Sequence, residues 1–263
     1  MAEPALWVDF ELPREVPRGH VVVARVTVGH RGEKPLTVSA RLHPAEGDLS
    51  FRVRDPTGKD RPILGRYQVD SPPRPIELAP GAAVAAGVNL LAMDTGRVFE
   101  QPGVYRLMAV YLPSVRDPQI YSAPREAVVL TPREERDQSV AELLHPSVVD
   151  ALALGDVDPG SPAETVLREV AALAPQEPSG ALAALVVAAS AARRGRGLEE
   201  VRRVVAGLDR EALAWLVTAA LPPAAGQNDP LVRATVEVLE PGESAEADRT
   251  LRMVRGEPFP AGR

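Results

Sequence analysis

Apolar and polar residues alternate in short runs through the first half of the chain. Near Pro132 the rhythm changes to one apolar residue every three or four positions. Alternation with period two marks half-buried strands, and a period near 3.6 marks amphipathic helices. The first pattern predicts strands over residues 5–12, 20–29, 36–43, 49–54, 63–69, 76–78, 83–91, 104–112, 120–122 and 127–130. In the second of these Val22, Ala24, Val26 and Val28 share one face. The clearest is 36–43, with Leu36, Val38, Ala40 and Leu42 on one side and Thr37, Ser39, Arg41 and His43 on the other. Proline and glycine clusters punctuate these runs.

The second pattern predicts helices over 139–144, 146–154, 162–174, 180–194, 198–208, 210–221, 230–239 and 244–254. Leu198, Val201, Val204, Val205 and Leu208 form one stripe, with Glu199, Glu200, Arg202 and Arg203 opposite. Ser161-Pro162 with Glu164 has the composition of a capped helix start. The expectation is an α+β chain of two segregated domains. Residues 1–132 form an antiparallel, immunoglobulin-like β-sandwich and 133–263 an all-α stack or bundle of helical hairpins.

The stretch Leu78-Ala79-Pro80-Gly81, followed by Phe99-Glu100-Gln101-Pro102-Gly103-Val104-Tyr105-Arg106-Leu107, resembles the late strands of bacterial immunoglobulin-like domains. The resemblance implies that Tyr105 sends its hydroxyl back to the backbone just upstream. Leu107 stands where an antibody-type domain would carry its second cysteine, so the likeness is to the broad sandwich class. The same half is distantly similar to the bacterial intracellular proteinase inhibitor type through Phe51, Asp55, Gly58, Pro80-Gly81 and Gly103-Val104-Tyr105. No inhibitory residue carries over. The helical half resembles no family.

Composition narrows the chemistry. The chain has no cysteine, which removes thiol nucleophiles, disulfides and zinc–thiolate sites. A net charge of −6 argues against whole-molecule attraction to nucleic acid or an anionic membrane, and 4% aromatic residues against stacking of bases or sugars. The apolar run 181–192 is shorter than the roughly 20 residues a bilayer span requires. The opening Met1-Ala2-Glu3-Pro4 lacks a basic and an apolar region of signal-peptide type, so a cytoplasmic location is expected.

The four histidines, at 20, 30, 43 and 145, show no metal-ligand spacing. Asp55–Asp60 and Asp156–Gly160 resemble the opening of a cation loop, but turn-forming aspartates account for both. The strings of a nucleophile elbow, a dinucleotide fingerprint and a phosphate loop do not occur. No catalytic residue, cofactor or metal site is therefore assigned. The candidate partner-binding features are a basic patch of Arg193, Arg194, Arg196, Arg202 and Arg203, and Trp215 as an interface anchor.

The expected function is a non-enzymatic adaptor or scaffold component of a bacterial intracellular complex, with a protein partner. The alternative is a protease-directed module, either an intracellular inhibitor or a substrate cut at 71–75 or 223–230. A hydrolase with a carboxylate pair brought together from distant parts of the chain ranks third, and would need a cleft at the domain junction.

Overall fold

The computed structural model describes residues 5–91, 93, 98–114, 116–239 and 244–261. Its early strands are β1 (Leu6–Glu11), β2 (Glu15–Pro17), β3 (Val23–His30), β4 (Leu36–Ser39), β5 (Leu49–Arg54) and β6 (Asp60–Ile63). Then come β7 (Pro75–Leu78), β8 (Ala82–Asn89), β9 (Gly103–Tyr111), β10 (Ile120–Tyr121) and β11 (Arg125–Leu130). The helices are α1 (Glu135–Leu143), α2 (Pro146–Leu154), α3 (Pro162–Leu173), α4 (Pro178–Arg193), α5 (Leu198–Ala206), α6 (Arg210–Ala220), α7 (Pro230–Val238) and α8 (Ala245–Arg255). A last short strand, β12 (Phe259–Pro260), follows them. The chain is α+β, with its long strands ahead of its helices.

One sheet has the order β1-β3-β8-β12 and is antiparallel throughout. A second has the order β2-β11-β9-β5-β6, with β2 parallel to β11 and β10 added on β9. A two-stranded pair, β4-β7, stands apart. The first two sheets bury their facing sides in one core, where Phe10 of β1 meets Phe51 of β5 edge to face at 5.5 Å. The N-terminal half is thus a β-sandwich. Tyr105 donates its hydroxyl to the Gln101 carbonyl at 3.0 Å and accepts from the Gln101 N–H at 3.1 Å, as the resemblance implied.

Two strand expectations change. The run 36–43 is strand only to Ser39, because the Ser39 hydroxyl accepts from the Arg41 N–H and Leu42 N–H turns back to the Ala40 carbonyl. His43 then caps a short 3₁₀ turn over Pro44–Glu46. The run 63–69 belongs to a strand only at Ile63, the strand lying earlier at Asp60–Ile63, and beyond it Gly65 makes an isolated bridge with Met93.

The helices follow their stop signals closely. Pro146 opens α2 and Gly155, at φ 61°, closes it. The Ser161 hydroxyl accepts from the Glu164 N–H at 3.2 Å, while the Glu164 carboxylate reaches the Gly160 N–H instead of the cap's own. Helix α4 is buried on nearly every side, among α2, α3, α5, α6 and α7. No helix among the described residues is long and apolar enough to cross a membrane.

The outer side of the first sheet is what positions the site. Its outward residues are Trp7, Asp9 and Glu11 on β1, Arg25, Thr27 and Gly29 on β3, and Ala83, Ala85 and Gly87 on β8. Small side chains on β8 let α6 come down onto the strand, where a methyl on Gly87 would overlap the Trp215 carbonyl. The Gly87 N–H donates to Thr218 Oγ1 at 2.7 Å. From the far end of the chain, β12 pairs with β8 and sets Phe259 opposite Ala83. More contacts join strands to helices: the Val21 N–H donates to Ser179 Oγ at 3.0 Å, His20 Nε2 lies 3.0 Å from the Asp137 carbonyl, and Arg66 pairs with Asp150.

Candidate functional site

The expected basic patch does not assemble as a free cationic surface. Arg193 bonds Asp229 at 2.8 Å and the Gly155 carbonyl at 2.5 Å, and Arg194 bonds Asp156 at 2.9 Å and Asp158 at 3.0 Å. Arg202 pairs with Glu199 and Glu237, and Arg203 with Glu200. Arg196 stands exposed on the turn between α4 and α5. Each of the four other guanidiniums has a carboxylate within reach: Glu199 and Glu200 on α5 answer Arg202 and Arg203, while Asp156 and Asp158 between α2 and α3, and Asp229 at the start of α7, answer Arg193 and Arg194.

Both aspartate loops are occupied by the protein itself. A single oxygen of Asp55 accepts from Thr57 N–H, Thr57 Oγ1 and Lys59 N–H, and the hydroxyl of Thr57 is the main cause that keeps this carboxyl below its usual range. Burial alone would raise the Asp156 carboxyl, but bonds from Arg194 and Ser190 and the arginine charges overcome that and hold it low. Among the described residues no three His, Asp or Glu side chains converge to hold a metal ion. The segment 71–75 is tied down: Ser71 Oγ donates to the buried Glu46 at 3.1 Å and Arg74 bonds the same carboxylate at 2.5 Å.

The histidines are scattered among structural tasks. His30 is buried between the Ala5 and Lys34 carbonyls, and His145 contacts Ser147 on the surface. His43 accepts from the Ala45 N–H at 3.1 Å. Burial first, and the nearby Arg74 charge second, push its pKa down to about 4.

Trp215 leads to the candidate site. Its indole is partly buried and stacks with Arg25 of β3, whose guanidinium carbon is 5.7 Å from the ring centre. This stack stands between two hollows on the outer side of the first sheet. The larger, of 410 Å³, lies above Thr27 and is walled by Trp7 on β1, by Arg210, Glu211 and Ala214 on α6, and by Arg249 and Met253 on α8. The smaller, of 300 Å³, is apolar along Leu12, Pro13, Val23, Ala212 and Leu216. Glu11, Arg25 and Trp215 border both, so together they make a two-lobed groove with the stack at its saddle.

Stacking sets the character of this groove. Trp7 lies over Gly29, where a Cβ would overlap the indole, and carries Arg31 at 5.2 Å. Arg249 lies 5.0 Å from the Phe259 ring centre. Cation–π contact holds a guanidinium by its face and leaves its in-plane N–H donors to other partners. Among the described residues, the guanidiniums of Arg25 and Arg249 form neither ion pair nor hydrogen bond. Asp9 is different, because Arg125 grips both its oxygens at 2.9 and 3.0 Å. Glu11, Glu211 and Glu246 are exposed at the rim.

The sequence singled out Trp215 as a candidate interface anchor, but not Trp7, Arg25, Arg249 or Phe259. One signal was present. Apart from Arg25, the outward positions of β3 and β8 are Thr27, Gly29, Ala83, Ala85 and Gly87, too small for a face meant simply to meet water, and such positions mark close approach by another element.

No protein-family model matches the sequence, and no curated protein matches it. Among solved structures, 47% of the chain is similar to a β-glucosidase from Listeria innocua at 14% identity and TM-score 0.28, covering 16% of that chain. An alkylpurine DNA glycosylase from Pseudomonas fluorescens is matched over 49% of this chain and 32% of its own, at 10% identity and TM-score 0.32. The CARDB domain of a Pyrococcus furiosus protein is matched over 48% of this chain and 94% of its own, at 15% identity and TM-score 0.27.

Proposed function

We propose that the protein is a non-enzymatic interaction module, in which an immunoglobulin-like sandwich (1–132) and a helical stack (133–263) jointly present a groove to an extended segment of a protein partner. The observation that carries this reading is the half-buried Arg25, stacked on Trp215 and without an acidic mate, at the saddle between two hollows. Tryptophan and arginine side by side in a depression are the residues that dominate binding energy at protein interfaces. The Tyr105–Gln101 hydrogen bonds support the immunoglobulin-like assignment.

The groove's chemistry favours binding over turnover. An acid–base pair needs one carboxyl desolvated beside another that stays ionised. Here Glu11, Glu211 and Glu246 all face water at the rim, and Asp9 is committed to Arg125. Sugar stacking is disfavoured too, because Trp7 has Gly29 beneath it and Arg31 above.

Both tryptophans of the chain border the groove, so their emission reports its occupancy. Titration with a pool of uncharged and singly charged extended dodecapeptides should change that emission, and Thr27→Trp, which fills the floor, should abolish the change. A pool that binds nowhere, or a peptide hydrolysed in a Glu211-dependent manner, would overturn the reading.

A further inference from the structure

Resting on that reading, we infer that the groove selects a partner segment carrying one side-chain carboxylate, which docks on Arg25 at the saddle. Glu11 is the direct cross-strand partner of Arg25, yet the two form no ion pair and Arg25 turns to Trp215 instead. A guanidinium that is partly withdrawn from water without a counter-charge is destabilising until an anion arrives. The indole holds one face of Arg25, so the N–H fork is fixed in direction and a carboxylate can be met by two parallel hydrogen bonds.

The lobes decide where on the ligand the acid sits. Hollows of 410 and 300 Å³ lie on either side of Arg25, so a bound chain runs past the saddle and does not end there. That points to an Asp or Glu side chain within the segment, not to a terminal carboxylate. Glu211 and Glu246 border the larger lobe, and Glu11 borders both. Arg210 and Arg249 stand in the same larger lobe, so these exposed acids already have opposite charges beside them, and further negative charge on the segment gains nothing over a single acid. The smaller lobe, with Leu12, Pro13, Val23, Ala212 and Leu216, takes an apolar residue next to the acid.

The test uses the full chain and four synthetic dodecapeptides, read by tryptophan emission and by calorimetry. One carries a single central Glu flanked by Leu and otherwise uncharged residues; the second has Gln in its place, the third has four Glu, and the fourth ends at the acid with a free C-terminus. The central-Glu peptide should bind about tenfold more tightly than its Gln twin. Arg25→Gln should erase that difference, whereas Arg54→Gln, on the other sheet, should leave it intact. Equal binding of Glu and Gln peptides, or preference for the four-Glu or terminal-acid peptide, overturns the carboxylate rule while the groove reading survives. Binding of none of the four overturns both. Circular dichroism of Arg25→Gln checks that it folds, and Arg25→Lys, which keeps charge without the planar fork, should retain only part of the preference.

Discussion

Gly87 and Trp215 meet backbone to backbone, strand against helix, with no room for a methyl between them. This contact sets the height of α6 above β8 and hence the depth of the groove beside it. Gly87→Ala must push α6 outward or twist the strand. Overpacking of this kind against backbone should lower stability by about 3 kcal/mol. Gly226, with open space around its Cα, is the control, and Gly226→Ala should change stability by less than about 0.5 kcal/mol. Urea unfolding followed by circular dichroism measures both.

Thr218 makes the same joint chemically specific. Its hydroxyl accepts from the Gly87 N–H and donates to the Ala214 carbonyl, both at 2.7 Å. Thr218→Val keeps the shape and strands a buried N–H, so it should cost about 2 kcal/mol. Thr218→Ser keeps the oxygen and should cost well under half of that. A larger loss for Thr218→Ser than for Thr218→Val would show that the methyl, not the hydrogen bond, matters more.

Glu46 is a carboxylate with no exposed side chain, bonded by Arg74 and Ser71 beneath the loop that follows β4. Removing the cation leaves the charge buried and uncompensated. Arg74→Met should therefore destabilise by about 3 kcal/mol, and adding Glu46→Leu should recover most of it. A second change that deepens the loss would show that Glu46 is held by Ser71 and the backbone alone. Thermal melts of the two variants decide it.

Much of this architecture could be read before any coordinates, and the reason differs by element. Helix α2 appears with its expected bounds because Pro146 and Gly155 encode start and stop locally. Strand β5 does too, because Leu49, Phe51 and Val53 alternate cleanly to the turn at Asp55. Strands β2 and β12 escaped notice because they are two or three residues long and exist only through pairing with β11 and β8. The groove was out of reach for a similar reason. Its walls come from β1, β3, α6, α8 and β12, and only the sheet register sets Trp7, Arg25 and Phe259 on one side. Arginine spacing shows where charges cluster, but not which carboxylates from other elements answer them.

Those arginines are separable by experiment. Arg193 is half-buried and ties α4 to the Gly155 carbonyl and to Asp229, which also caps α7 through the Leu231 N–H at 2.9 Å. Arg193→Ala should cost about 2 kcal/mol, since two helix ends lose a partner. Arg203 faces solvent with only Glu200, three residues before it, so Arg203→Ala should cost less than about 0.5 kcal/mol. Neither change should alter peptide-induced tryptophan emission. A loss of binding in Arg203→Ala would restore this face as a docking surface.

His43 gives the protein a pH dependence of known sign. Its folded pKa of about 4 lies below the ordinary 6.5, because burial and then Arg74 disfavour the cation. Protonation of Nδ1 would also remove the acceptor that caps Ala45. The unfolded chain therefore binds the proton more readily than the folded one, and stability must fall as pH drops from 6.5 towards 4. Below that the contribution levels off, at a total of about 3 kcal/mol. His43→Asn keeps a capping acceptor without a titrating ring. Melting temperatures of the wild type and His43→Asn should run parallel above pH 7 and below pH 4, and diverge between, with the variant falling less steeply. Parallel curves across the whole range would mean that His43 titrates normally in the folded chain.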